Sequence, residues 1–491
     1  MKLSWPFLAA AVGFGGVDAA PANTAINIRA VLSASSWSSG TVIAYPGSQR
    51  FLNSTSRWTV FDPPTYTAVI TPGTEADIVQ AVRIAKANKV PFLATGGRHG
   101  FGTALGKLDD GIAIDLSSFD SVRVDATART LTVGGGTRFE SIYDPVYAAG
   151  FEMPIGSCSC PGVVGVTLGG GIGRYQSLHG LLIDSLVSVR LITANGGALT
   201  VSATSNSDLF WGLRGAGANL GIIASATYKL SPRTGSGSAL SMDFVFPAEK
   251  SEAYFNALQG FQHKTPRGLS SINLIVYDEA TSGAQILSAW VYAGAEAEGR
   301  RIMKPILDLN PPFVNATMIP WNRLVYDIGF GLNSAFCQGN AIRSIYGISM
   351  KTLAASTYQA AFEEMSAFYE QVPAARGSAI EIELLGSTTT IRDDQTAYPW
   401  RDAIAYAMVQ MTWTDASMAE TSNKIGRKLR DSLARSSGYS GLATYVNYAH
   451  GDESVSAIYG SRKLARLAAL KNKWDPDNAF GYHNALPKSY P

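Results

Sequence analysis

Two residues able to form covalent bonds stand on glycine-rich stretches of this chain. Cys158 lies near the head of the run 156–173, which holds seven glycines, a second cysteine (Cys160) and no charged residue. Backbone without Cβ atoms can lie flat against a large planar or phosphorylated ligand, and the thiolate is the nucleophile that a cysteine supplies. His99 stands in Thr95-Gly96-Gly97-Arg98-His99-Gly100-Phe101-Gly102, directly after the apolar run 90–94. A histidine between glycines at the end of a buried strand is a loop residue at the rim of a backbone-lined cavity. The plainer reading is a satisfied polar side chain.

The elements that must carry these residues can be read in order. Residues 26–60 read as irregular and polar. The apolar spacing of Ile78, Val79, Val82, Ile84 and Ala85 predicts a helix over 75–88, with Thr74 as its cap. Strands are expected at 66–70 and 90–94, then short β segments at 111–116, 122–124 and 130–133, and a helix over 137–148. Asn195-Gly196-Gly197 turns a hairpin between 187–193 and 198–201. A short helix over 207–214 leads through Gly215–Gly221 to a strand at 222–230. Composition changes at 231–238, a linker signal. Strands then alternate with helices: strands at 239–246, 271–277, 285–292, 379–385 and 406–412, helices at 251–263, 295–307, 356–372 and 418–437. This is the pattern of an α+β layer. An extended 444–447 and a helix over 461–472 close the chain. Neither 169–173 nor 215–221 sits in the strand–turn–helix setting of a Rossmann fingerprint, and no phosphate loop ends in Gly-Lys-Ser/Thr.

Bulk properties narrow the class. The 491 residues are 46% hydrophobic and 16% charged, which suits a packed enzyme rather than a disordered chain. A net charge of +2 offers no basic field for nucleic acid. Met1-Lys2, an apolar stretch over 5–12 and small residues near 17–20 read as a signal peptide over 1–19, so the protein is expected in the secretory pathway without a membrane span. Asn53 and Asn315 head Asn-x-Ser/Thr triplets, candidate glycosylation sites. The three cysteines make no disulfide framework. A Cys160–Cys337 disulfide beside a free Cys158 and three free thiols both remain open. No metal-ligand spacing occurs among cysteines and histidines.

Five ordered motifs now carry a resemblance. They are Gly96-Gly97-Arg98-His99, the run from Gly156-Ser157-Cys158 to Gly173, Asp208-Leu209-Phe210-Trp211-Gly212-Leu213-Arg214-Gly215, Tyr445-Val446-Asn447-Tyr448, and the closing stretch 464–484 with Asp475-Pro476, Phe480 and Asn484. Together they resemble the berberine-bridge-enzyme-like branch of the vanillyl-alcohol-oxidase superfamily, over nearly the whole chain after residue 19. The resemblance implies an α+β fold: a two-part PCMH-type FAD-binding domain (20–235, completed by 441–491) with an inserted substrate domain (236–440) of antiparallel sheet covered by helices. It implies FAD held by two bonds, from His99 to the 8α-methyl and from Cys158 to C6. The cofactor-binding set it implies is Thr95, Gly96, Gly97, Arg98, Gly100, Gly162, Gly165, Thr167, Gly170, Gly171, Gly173, Gly221, Ile223 and Asn447. Two departures stand out. Val166 and Thr167 replace the family's histidine stretch after the cysteine loop, and Cys160 is extra, a rival sulfur.

The resemblance also implies hydride removal from a small organic substrate, proton removal by Tyr448, and reoxidation by molecular oxygen to give hydrogen peroxide. An unperturbed tyrosine has a pKa near 10, so a neighbouring cation or the flavin would have to lower it. Gln410, with Met408 on the same strand face, is the expected substrate-side partner. An apolar secondary metabolite undergoing oxidation or oxidative cyclisation is the favoured substrate, because carboxylates are sparse in the inserted domain. An oligosaccharide oxidase, or a flavin-bearing cyclase or isomerase with no net oxidation, are the alternatives.

Overall fold

The computed structural model describes residues 27–387 and 391–490; the signal-peptide expectation for 1–19 falls outside them. A short segment ahead of residue 37 carries one helix, Ile28–Ala34, whose first turn is capped by the Asn27 side chain accepting from the Ala30 N–H at 3.1 Å.

From residue 37 onward the chain is one compact unit, with four sheets among the described residues. The first holds β1 (Val42–Ala44), β2 (Tyr66–Thr71), β3 (Phe92–Thr95) and β4 (Gly111–Asp115) in the order β1-β2-β4-β3. β2, β3 and β4 run parallel and β1 antiparallel to β2. The helix Glu75–Ala87 supplies the crossover between β2 and β3. Thr74 and Asp77 cap it reciprocally, the Thr74 hydroxyl accepting from the Asp77 N–H and the Asp77 carboxylate from the Thr74 N–H. The second sheet is antiparallel: β5 (Val122–Asp125), β6 (Thr130–Gly134), β8 (Leu186–Ile192), β9 (Ala198–Ser202) and β10 (Ile222–Lys229), ordered β5-β6-β10-β8-β9. β7 (Phe151–Glu152) pairs with β11 (Ser231–Pro232).

Residues 238–412 build the fourth sheet, seven antiparallel strands in the order β15-β12-β14-β13-β17-β18-β16. They are β12 (Ser238–Pro247), β13 (Leu269–Asp278), β14 (Gly283–Tyr292), β15 (Phe313–Pro320), β16 (Arg343–Met350), β17 (Ala379–Leu384) and β18 (Ala405–Thr412). One face packs on the helices Ser251–Gln259, Ala355–Gln371 and Ala419–Arg435. Their Phe255, Phe362, Met365 and Leu429 meet Ile380, Ile382, Val409 and Met411 in a continuous core. The opposite face is left for a cavity.

Several elements differ from the sequence-based expectation. The region 26–60 holds two helices (Ile28–Ala34 and Gln49–Thr55) and β1, because Asn27 and Ser48 cap helix starts that a polar composition hides. Residues 137–148 form a 3₁₀ turn and a six-residue helix, Tyr143–Ala148. The stretch 444–447 is not extended: Val446–Tyr448 is a 3₁₀ turn. The glycine run 156–173 contains a helix, Val163–Gly169, because Val163, Val164 and Thr167 bury one face and outweigh the glycine cost. β15 and β16 appear where no strand was expected.

Candidate active site

Two glycine loops meet at the end of β3. A Cβ on Gly97 would collide with the backbone nitrogen of Gly162, so the loops 96–100 and 156–162 touch only because position 97 has no side chain. Between this pair and the open face of the seven-stranded sheet lies a cavity of about 580 Å³. His99 and Cys158 both line it, as do Thr95, Gly96, Gly97, Arg98, Gly100, Gly162, Gly165, Gly221, Ile223 and Asn447. His99 stacks on Trp58 with ring centroids 5.3 Å apart. Burial, aided by the guanidinium groups of Arg138, Arg343 and Arg57, pushes its pKa down to about 4, so the imidazole is neutral. Burial and the carboxyl groups of Glu381 and Glu383 push the Cys158 thiol up to about 12. Cys158 therefore rests as a thiol.

Antiparallel register builds the facing wall. Directly paired residues share a face, and the row Leu287–Leu274–Glu381–Met408–Gly347 runs across β14, β13, β17, β18 and β16. The next row is Ala289–Ile272–Glu383–Tyr406. Ile272, Leu274, Val276, Leu287, Ala289 and Met408 line the cavity from the sheet. Gln410 lines it too, its amide donating to the Thr412 hydroxyl at 3.3 Å. At the end of the first row Gly347 leaves the space that Tyr448 occupies: a Cβ there would overlap the Tyr448 side chain.

Tyr448 joins the two walls. Its hydroxyl donates to Glu383 Oε2 at 3.0 Å, and the Ser157 hydroxyl donates to Glu383 Oε1 at 3.2 Å. Glu381, two residues earlier on the same face of β17, acts electrostatically on the same carboxyl group. Burial raises the pKa of both glutamates; Glu383 opposes the ionisation of Glu381, whereas Glu381 favours the charge on Glu383, so the pair keeps one proton above the usual carboxylate range. Tyr448, Arg174 and Ser157 favour the charge on Glu383; Glu381 is the protonated partner. Burial and both glutamates drive Tyr448 well above an ordinary phenol. The lowering by a neighbouring cation expected for Tyr448 is therefore absent. Its partner is the Glu383 carboxyl group, which accepts a hydrogen bond from the phenol.

Four expected cofactor residues stand away from the cavity. The Thr167 hydroxyl is buried against the Val163 carbonyl (2.7 Å) and the Tyr228 hydroxyl (2.8 Å), because the helix turns it to the core. Gly170, Gly171 and Gly173 face protein: added Cβ atoms would meet Tyr398, Leu182 and the Ile155 carbonyl. Asn447 braces the site, its amide donating to the Val166 carbonyl (3.0 Å) and the Tyr445 hydroxyl (2.7 Å). Sequence reasoning missed Glu381, Glu383 and Arg174. The Ile-Glu-Ile-Glu alternation of 380–383 was their signal, but a charged strand face ordinarily points to water. Cys160 is bonded to Cys337, with Cα atoms 5.8 Å apart, and Cys158 is the free cysteine.

The cavity suits a large planar dinucleotide. Glycine-rich loops form one wall, a neutral imidazole and a thiol face inward, and the buried Thr95 hydroxyl and Arg174 Nε lack hydrogen-bond partners in the structure. An unpaired buried polar group costs about 1–3 kcal/mol, which a bound ligand would relieve.

Fold and site define a flavin-dependent oxidoreductase. A family model described as "FAD binding domain" matches residues 66–202, and one described as "Berberine and berberine like" matches 444–487. The chain is 43% identical to the FAD-linked oxidoreductase srdI of Neurospora crassa over 489 residues, 97% of each chain. Its fold is similar to that of the Physcomitrella patens BBE-like 1 protein (TM-score 0.81, 23% identity, 92% of this chain and 98% of that one). A chitooligosaccharide oxidase superposes at TM-score 0.79, 20% identity, over 92% and 98% of the two chains. The chain belongs to the berberine-bridge-enzyme-like family of FAD-linked oxidoreductases, with FAD as its cofactor.

Proposed function

We propose that this enzyme is an oxidase acting on a small, largely apolar alcohol or phenol-like metabolite, with FAD held through His99 and Cys158 and molecular oxygen as acceptor. The hydrogen bond from Tyr448 to Glu383, placed where the apolar sheet wall meets the glycine loops, carries this reading. When bound, the flavin supplies the two-electron acceptor for a hydride. The substrate hydroxyl gives its proton to the Tyr448 oxygen while the Tyr448 proton moves to Glu383 Oε2. Arg174 and Ser157 stabilise the ionised Glu383 that begins the cycle. Glu381 and Gln410 orient the polar end of the substrate. Ile272, Leu274, Leu287 and Met408 exclude water and hold its apolar body.

The neutral imidazole of His99 keeps a lone pair free for attachment, and the adjoining carboxyl groups can receive the Cys158 proton. Residues 236–440 form the substrate domain, and 20–235 with 441–491 the FAD domain. The protein enters the secretory pathway through residues 1–19. Among the described residues no helix is long and apolar enough to cross a membrane. Asn53 and Asn315 are both exposed, as glycosylation requires.

The test is an absorption spectrum of the acid-precipitated protein followed by peroxide assays. A flavin band that stays with the precipitate, and peroxide from apolar secondary or benzylic alcohols but not from chito- or xylo-oligosaccharides, are the expected results. Oxidation of oligosaccharides with no response to apolar alcohols would overturn the substrate assignment. Flavin reduction without peroxide in air would overturn the assignment of oxygen.

A further inference from the structure

The Cys160–Cys337 bridge joins two walls of the cavity that are 177 residues apart in sequence. One is the loop that presents Cys158. The other is the segment around the short helix Asn333–Phe336, where Leu332, Asn333 and Phe336 line the cavity. The bridge is reinforced. The Ser159 N–H donates to Asn333 Oδ1 at 3.0 Å, and Asn333 Nδ2 donates to the Ser159 hydroxyl at 3.0 Å. Behind the loop, the Ser159 and Pro161 carbonyls accept from the Glu140 and Phe139 N–H groups at 2.9 and 3.2 Å. On the other side of Cys158, Ser157 is tied to Glu383. Cys158 is thus held between two anchored neighbours. Without Cys337, Cys160 would be a second thiol two residues away on the same loop.

We propose that Cys160 and Cys337 are positioning residues for the cofactor tether. Their bond aims Cys158 at the flavin, withdraws Cys160 from competition, and clasps the substrate wall at 332–336 to the cofactor loop. This inference rests on the covalent attachment at Cys158 proposed above. Neither residue touches the reacting atoms.

The test compares three holoproteins: the parent, Cys337→Ser, and the double variant Cys160→Ala/Cys337→Ala. Flavin adducts on peptides containing residues 99 and 158–160 are quantified by mass spectrometry. The parent should carry flavin on His99 and Cys158. Cys337→Ser should divide the sulfur adduct between Cys158 and Cys160. The double variant should lose half or more of the Cys158 adduct while the His99 adduct stays complete. A general loss of structure would lower both adducts, so the unmoved His99 signal separates positioning from mere stabilisation. Full Cys158 occupancy in both variants, or a parallel fall at His99, overturns the inference. A parent with no Cys158 adduct overturns the covalent reading beneath it. Should the bridgeless proteins not accumulate, Asn333→Ala keeps the disulfide and removes both Ser159 bonds. A selective fall at Cys158 supports the proposal, and unchanged occupancy overturns it.

Discussion

The glycine-loop wall and the sheet wall face each other across one cavity but are made by opposite means. Residues 96–100 and 156–162 shape their wall by what they lack, and a single Cβ at Gly97 would force them apart. β13, β14, β17 and β18 shape theirs by what they carry: alternate side chains whose backbone does not depend on which residue is present. The first wall tolerates no side chain at Gly97. The second can exchange leucine for methionine or glutamate for glutamine and still be a sheet. A fold that reuses one cofactor on many substrates is expected to divide its cavity this way.

That contrast can be broken at several points. Gly97→Val should cost the most, because the added atoms have only backbone to displace; the purified protein should lack the flavin band, and a flavin-replete variant would refute the backbone-wall account. Glu383→Gln should leave the spectrum intact and lower kcat by roughly 10²–10⁴-fold, the usual weight of a proton-transferring group, measured by stopped-flow flavin reduction. Cys160→Ala/Cys337→Ala should lower stability by about 2–4 kcal/mol, since the bridge closes a long loop, read from denaturant midpoints. Leu287→Ala, on the sheet wall alone, should reduce kcat/KM by roughly 10–200-fold for an apolar substrate with flavin content unchanged.

The smallest effect concerns pH. Glu383 must be ionised to accept the Tyr448 proton, and burial raises its pKa. Activity should therefore fall as pH drops through a value above the ordinary glutamate range, about 4.3. An acid limb at or below that range in kcat/KM would mean that the carboxyl pair is not coupled to turnover.

The two walls were unequally legible in the sequence. Gly96-Gly97-Arg98-His99 and Gly156-Ser157-Cys158 are contiguous, so a short window contains the whole feature. Glu381 and Glu383 acquire meaning only when β17 is placed between β13 and β18 with its second face closed off from water. Nothing local distinguishes that face from a solvated one. Tyr448 was found by its motif, but its proton partner lies 65 residues away. The Cys160–Cys337 pairing stayed open for the same reason of distance. The glycines at 170, 171 and 173 sit in the same legible run, but their close packing against Tyr398, Leu182 and Ile155 is a distant contact that no local window contains.

β15 ends the large sheet, and among the described residues its outer ladder has no neighbouring strand. Phe313 and Val314 are 45% and 43% exposed there, a pair of apolar side chains on an open edge. Such an edge is a template on which a second chain can add a strand. Asn315 is the next residue along. A glycan at Asn315 would do the work of a guard rail, screening the free hydrogen-bonding groups with a bulky hydrated chain, so that protein made without sugars should be the form that self-associates.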